Sequence, residues 1–324
     1  MRGERLRILI TGGTGFVGAH LVRFLKSRDS QISVLASGSR FVAEPGVRYH
    51  EVDIRDAERV RSVVREVNPD QIYHLAGITA VDVSRRYPRL TYEVNVFGAQ
   101  NLFDAAMQLP APPRILNIST SQVYAPASGI LTENSPLRPD NPYAASKAMA
   151  EMLAPQYAEG ATGGIITARP FNHSGCGQPP TFVLPSIAKQ FAEIELGLRT
   201  PKLNLGNIAI ARDFTDVRDV VRAYCMLLER GKTSEAYNVC SGTSIVLSDI
   251  IGMFQTISGI DITIEIDPNK VRAKEVAEIY GDPGKLQAKT GWDRQIPFEK
   301  TVEDMLNYWR SQCRSRDAIP DVQL

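Results

Sequence analysis

Ile8-Leu-Ile-Thr-Gly-Gly-Thr-Gly-Phe-Val-Gly18 decides how the rest of the chain is read. Arg7 to Ile10 is a short apolar run of strand type, which breaks into Gly12, Gly13, Gly15 and Gly18 and resumes as Ala19-His-Leu-Val-Arg-Phe-Leu25. Phe16, Val17, Leu21, Phe24 and Leu25 share one helical face, so the stretch reads as strand, glycine-rich turn and helix. That unit holds a dinucleotide pyrophosphate over a helix N-terminus, where unpaired amides and the helix dipole favour an anion. One glycine permits positive φ, another admits phosphate to the backbone, and a third lets helix pack on strand. Gly12, Gly15, Phe16, Val17 and Gly18 are the first candidate cofactor contacts.

The chain of 324 residues has room for two closely joined lobes. A net charge of +1, from 37 basic and 36 acidic residues, argues against nucleic-acid and membrane-surface partners. No apolar run has the length of a membrane span. Met1 to Arg7 is too short and too charged for a signal peptide, and four scattered cysteines read as thiols of a reducing compartment, so a cytoplasmic location is expected. Neither the cysteines nor the four histidines have metal-ligand spacing, and no metal is expected.

Gln31 to Ala36 reads as a second strand, ending in Ser37-Gly-Ser-Arg40. NAD-selective sites place an acid here to take the ribose hydroxyls. Its absence, with Ser37, Ser39 and Arg40 present, favours NADP(H) over NAD(H), although Arg40 also reads as a plain surface charge. Val47 to Asp53 is a third strand. Asp53, before Ile54, serves either the cofactor's adenine end or the cap of a helix over 56–67. Asp70 to Gly77 is a fourth strand whose Leu75-Ala76-Gly77 end passes close to the cofactor. A long helix is expected over Leu90–Leu109, carrying Asn95, and a fifth strand over Arg114–Ser121. A helix over Asn141–Tyr157 and a strand over Gly164–Pro170 follow. Strands alternating with helices give an α/β fold, a doubly wound parallel sheet with right-handed crossovers. Beyond Phe171 the rhythm changes to prolines, glycines and short elements that form a smaller α/β lobe. The expected division is 1–170 for the dinucleotide, with a return segment near 212–240, and 171–324 for the substrate.

Tyr143-Ala-Ala-Ser-Lys147 is the sharpest constellation, downstream of Ile118-Ser-Thr-Ser-Gln-Val-Tyr124. Tyrosine and lysine four apart on a helix face the same way. An ammonium beside a phenol is expected to lower the tyrosine pKa, and the lysine can reach the nicotinamide ribose. A hydroxyl from the neighbouring strand end completes a site for a carbonyl or alcohol oxygen.

Together the glycine turn, Asp53, Leu75-Ala-Gly77, Asn95, the strand-end hydroxyls and the Tyr143/Lys147 pair resemble the extended short-chain dehydrogenase/reductases that act on nucleotide sugars. The G-x-x-G-x-x-G spacing of Gly12, Gly15 and Gly18 is that class's variant. The resemblance implies Thr120 as the substrate-contacting hydroxyl, Tyr143 as acid/base, Lys147 as its electrostatic partner, and Asn95 as a support. Ser121 is an alternative or helper to Thr120, and Ser119 and Pro170 join the implied cofactor contacts. Members that eliminate water carry an acid after the threonine; here Ser121 and Gln122 stand there, and an amide cannot accept that proton. The segments Arg169–Gln178, Ala188–Gln190, Arg212–Asp219, Tyr237–Gly242 and Val271–Val276 resemble the branch that reduces GDP-4-keto-6-deoxyhexoses. Cys176 and Ala125 depart from the pattern on the substrate side.

That branch implies Asn172, Lys189, Asn207, Arg212, Arg272 and Glu275 as further substrate contacts, the two arginines clamping the diphosphate. The expected reaction is reduction of GDP-4-dehydro-6-deoxy-D-mannose at C4 to GDP-D-rhamnose, or to GDP-6-deoxy-D-talose from the other face. A 4-epimerase, a 4,6-dehydratase and an NADP-sensing binding protein are the alternatives. Homodimerisation is implied through the helices at Leu90–Leu109 and Asn141–Tyr157, with Met149, Met152 and Leu153 as surplus apolar residues.

Overall fold

In the first strand Ile8, Leu9 and Ile10 are all fully buried, which requires cover on both faces. A computed structural model describes residues 5–28, 30–38, 43–157, 163–268 and 276–317 and shows that cover. The chain opens with β1 (Arg7–Thr11), α1 (Phe16–Lys26), β2 (Gln31–Ala36), β3 (Arg48–Glu51), α2 (Ala57–Val67) and β4 (Gln71–His74). It continues through α3 (Val81–Arg86), α4 (Pro88–Tyr92), a π-helical turn Glu93–Phe97, α5 (Gly98–Met107), β5 (Arg114–Ile118), β6 (Gly129–Leu131), α6 (Pro142–Leu153) and β7 (Gly164–Pro170). Next come β8 (Asn172–Ser174), α7 (Val183–Glu195), β9 (Lys202–Leu205), β10 (Ala211–Asp216), α8 (Val217–Arg230) and β11 (Ala236–Val239). The remainder is β12 (Ser244–Val246), α9 (Leu247–Ser258), β13 (Thr263–Ile266), β14 (Glu278–Gly281), α10 (Gly284–Thr290) and α11 (Phe298–Asp317).

Seven strands form one sheet in the order β11-β7-β5-β4-β1-β2-β3, every neighbour parallel. The period-2 alternation of β1 divides its core. Ile8 and Ile10 pack with Leu21, Val220 and Tyr224 of α1 and α8, while Leu9 packs with Val60, Leu102 and Ala150 of α2, α5 and α6. The chain winds outward from β1 in one direction through β2 and β3, and in the other through β4 and beyond. The carboxyl ends of β1 and β4 therefore flank the point where strand order reverses, the usual place for a ligand crevice.

A second sheet runs β12-β10-β14-β6, with β8 also pairing β10. Over it lies a separate apolar core of α7, α9 and α11, including Ile187, Phe191, Phe254, Val302 and Met305. The two layers exchange chain. Gly129–Leu131 reaches forward to pair with Ile279–Gly281, and β11 returns to the edge of the large sheet. Among the described residues no helix is long and apolar enough to cross a membrane.

The helix expected over Leu90–Leu109 is instead α4, a π turn and α5. Gly98 starts α5 against Ile54, whose Cγ2 would lie 2.6 Å from any added Cβ, and the wider π turn carries Asn95 inward. The charged stretch Arg212–Asp219 is a strand running into a capped helix. Asp216 accepts from the Arg218 amide as the N-cap of α8, and Asp219 accepts from the amides of Gln295 and Ile296.

Candidate active site

Gly12 leaves β1 at φ +70°, a conformation that a side chain disfavours, and donates its amide to the Leu35 carbonyl. An added Cβ there would lie 2.7 Å from the Ala76 nitrogen. At Gly18 it would press into the Gly12 carbonyl and lie 2.6 Å from the Gly13 Cα, so helix and turn touch backbone to backbone. Gly15 is the N-cap of α1 with no side chain capping the first turn and no acid in it. The amide-bearing end of the helix thus points bare at the crevice and suits a diphosphate.

β5 ends at Ile118 and releases Ser119 and Thr120, whose hydroxyl accepts from the Gln122 amide at 3.2 Å. Opposite stands α6, started by Asn141, whose Oδ1 accepts from the Ala144 amide, and by Pro142 in the first turn. Tyr143 and Lys147 follow one turn apart, both buried. Burial raises the pKa of the Tyr143 phenol, and the neighbouring Thr120 hydroxyl works the other way. Burial lowers Lys147 to about 8, opposed by the Glu151 carboxylate. Its ammonium donates to the Ile118 carbonyl at 2.8 Å.

The four-residue spacing predicts that the lysine lowers the tyrosine pKa, but here the dry surroundings of Tyr143 set the direction. The phenol therefore stays protonated at neutral pH, as a proton donor must. Behind the pair, Asn95 donates to Ser146 and brackets Ile78. It buttresses the site without lining it.

These elements enclose a cleft of about 730 Å³. Gly12, Gly15, Phe16, Val17 and Gly18 form one end of its wall, and Ser37, Asp53 and Ile54 lie along the β2 and β3 ends. Leu75, Ala76, Gly77 and Pro170 form the middle, with Ser119, Tyr143 and Lys147 beyond. Thr120, Ser121, Gln122 and Asn172 line it as well. Asp53 is forked by Arg55, with a closest distance of 2.6 Å, while Asp56 caps α2. Gln122 accepts from Asn141 at 3.3 Å, leaving its amide group to donate.

Lys189, Asn207 and Arg212 do not line this cleft. Lys189 pairs with Glu193 along α7 at 3.2 Å, Asn207 accepts from the Ala209 amide, and Arg212 donates to the Ala211 carbonyl. Ser39, Arg40, Arg272 and Glu275 lie outside the described residues. Arg55, His173, Phe182 and Tyr224 are among the lining residues that the sequence analysis does not single out as contacts. His173 stacks on Phe16 at 6.3 Å between ring centres, a contact between residues 157 positions apart that no local pattern announces. The cleft fits a dinucleotide: a bare helix end for phosphate, backbone where a Cβ would intrude, and an unpartnered buried Ser119 hydroxyl at the reacting end. The residues present fit a nicotinamide cofactor.

Comparison with known proteins agrees with this geometry. The profile of the GDP-mannose 4,6 dehydratase family matches residues 9–305. The GDP-6-deoxy-D-mannose reductase of Pseudomonas aeruginosa is 34% identical over 313 residues, spanning 95% of this chain and 98% of the relative. The structure of RMD from Pseudomonas aeruginosa complexed with NADPH superposes with a TM-score of 0.82 at 32% identity, covering 95% of this chain and 98% of that one. The UDP-glucose 4-epimerase of Thermus thermophilus in complex with NAD gives a TM-score of 0.82 at 28% identity, over 94% and 99%. The chain therefore belongs to the GDP-mannose 4,6 dehydratase family, within the short-chain dehydrogenase/reductases, and is an NAD(P)-dependent oxidoreductase.

Proposed function

We propose that the enzyme reduces the C4 carbonyl of a GDP-4-keto-6-deoxyhexose, converting GDP-4-dehydro-6-deoxy-D-mannose to GDP-D-rhamnose with NADPH. One arrangement supports the reading: Tyr143, buried at the cleft beside Thr120, keeps a proton to give, while Ser121 and Gln122 supply no acid for elimination. When bound, the reduced nicotinamide supplies the hydride. Thr120 fixes the carbonyl oxygen, Tyr143 gives its proton to that oxygen as charge develops there, and Lys147 stabilises the phenolate left behind. The amide of Gln122 donates to the sugar, and Asn172 orients it from β8.

Relatives with this chemistry act on GDP-sugars, which supports the same nucleotide here. For the cofactor, β2 ends in Ala36-Ser37-Gly38 without a carboxylate, and Arg55 neutralises Asp53. Both favour a 2′-phosphate, with Arg40 as its further partner. Lys189, Asn207, Arg212, Arg272 and Glu275 are assigned to the nucleotide-sugar lobe of residues 171–324. Met149 and Met152 of α6 and Phe97 at the end of the π turn are exposed apolar side chains, and we assign the surface of these two elements to a homodimer interface.

The test is cofactor oxidation with GDP-4-dehydro-6-deoxy-D-mannose supplied, followed by NMR of the product sugar. An equatorial C4 hydroxyl identifies rhamnose and an axial one the talose product. Failure to oxidise NADPH or NADH, with nucleotide retained through purification, would replace this reading with an epimerase.

A further inference from the structure

Buried polar side-chain atoms are nearly always hydrogen-bonded, because an unpaired one has lost water and gained nothing. Five among the described residues have no partner: His50 Nε2, Asn117 Nδ2, Ser119 Oγ, Thr215 Oγ1 and the Tyr224 hydroxyl. Of these residues, only Ser119 and Tyr224 line the cleft. They enter it from opposite sides of the large sheet. Ser119 follows β5 beside Thr120, whereas Tyr224 projects from α8 in the apolar layer shared with α1.

At 0% exposure among Ile8, Ile10, Leu116 and Val220, position 224 is one where phenylalanine would pack without an unpaired atom. Residue 224 is nonetheless part of the cleft wall, within electrostatic range of Tyr143, and its unpaired hydroxyl lies just behind that wall. A hydroxyl so placed is matched by a polar group that arrives with a ligand.

The parts of a dinucleotide divide along the cleft. The bare end of α1 takes the diphosphate, Ser37 and Asp53 lie at the adenosine end, and Thr120 with Tyr143 takes the reacting carbonyl oxygen. Beside Tyr143, the α8 side presents Leu75, Ile118 and Pro170, a mostly apolar surface suited to a flat ring. A nicotinamide ring carries one polar substituent, a carboxamide with both donor and acceptor, and a phenol can match either. We propose that Tyr224 is a cofactor-binding residue whose hydroxyl hydrogen-bonds the nicotinamide carboxamide, fixing which face of the ring meets the substrate. The assignment rests on the reading of the cleft as a dinucleotide site.

Tyr224→Phe tests it, because removing the hydroxyl has opposite effects on the free and bound protein. Thermal unfolding of the ligand-free protein is compared with titrations of NADPH and of 2′-phospho-ADP-ribose, which lacks the nicotinamide. NADH and ADP-ribose serve if the chain takes the unphosphorylated cofactor. The expected result is an unchanged or higher Tm without ligand, about tenfold weaker NADPH binding, and unaltered binding of the fragment. Equal NADPH affinity in the two proteins overturns the proposal. So does a lower ligand-free Tm with both ligands weakened alike, the mark of a purely structural tyrosine. Wild-type protein that binds neither NADPH nor NADH overturns the dinucleotide reading itself, and this assignment with it.

Discussion

Asn95 pairs with Ile78 as one strand pairs with another: its Oδ1 accepts from the Ile78 amide at 2.7 Å and its Nδ2 donates to the Ile78 carbonyl at 3.0 Å. The side chain thereby holds the loop after β4, where Gly77 passes so close that an added Cβ would be 2.9 Å from Asn95 Oδ1 and 3.3 Å from Lys147 Nζ. It also donates to Ser146 on α6, tying that loop to the helix of Tyr143 and Lys147. Asn95→Ala removes the partner of both half-buried Ile78 backbone groups, while Ser146 keeps its bond to the Tyr143 carbonyl, and a loss of about 1–3 kcal/mol is expected in denaturant unfolding. Cofactor affinity falls with it, because the loop is no longer braced. Wild-type stability in the variant would remove this bracing role.

Tyr143→Phe deletes only the hydroxyl of a buried ring. A fall in kcat on the order of a hundredfold or more is expected, with KM and Tm near wild type. Steady-state kinetics alongside thermal melts check this. A variant that keeps its kcat would disqualify the phenol as the proton donor.

Lys147 carries a pH dependence whose sign follows from its burial. Its pKa is about 8 in the folded protein against an ordinary 10.5. Between those values the unfolded chain holds a proton that the folded chain lacks, so rising pH favours folding. The contribution is fully present above the ordinary value and is lost as pH falls through the folded one. Ligand-free wild type should therefore gain stability relative to Lys147→Met between about pH 8 and about pH 10.5, read from denaturant melts at each pH. A constant difference between the two proteins would mean that Lys147 titrates as an exposed lysine does.

Gly18→Ala and Gly15→Ala should fail differently. At Gly18 the new carbon meets backbone of the turn on which the helix sits, so reduced thermal stability is expected together with loss of cofactor binding. At Gly15 it meets only the Gly12 carbonyl, at 3.3 Å, and otherwise faces the cleft. There the fold is expected to persist while cofactor affinity drops, since the methyl occupies the phosphate side. Equal melting losses in the two variants would contradict this division.

The large sheet is legible in the sequence because its strands are apolar runs with a clear alternation of partners. The spans expected for Gln31–Ala36 and Gly164–Pro170 are those observed. Gly129–Leu131, Asn172–Ser174, Ser244–Val246 and Glu278–Gly281 carry no such signal. Three or four residues do not establish a period, and Gly129–Leu131 is ordered by Ile279–Gly281, far along the chain. The break in the Leu90–Leu109 helix is equally hidden, and Gly98 beside it meets Ile54 only through the tertiary fold.

Catalytic residue types and their order are properties of the chain itself. The spacing of Gly12, Gly15 and Gly18, and of Tyr143 and Lys147, turns directly into geometry because a turn and a helix repeat locally. Burial is not local, and burial set the direction of the Tyr143 pKa against the expected pull of Lys147. Only the folded arrangement decided that Lys189 joins Glu193 along its own helix, that His173 stacks on Phe16, and that Tyr224, outwardly a core residue, reaches the cleft. Sequence periodicity determined which faces are apolar; the packing of distant elements determined which polar atoms are left facing a ligand.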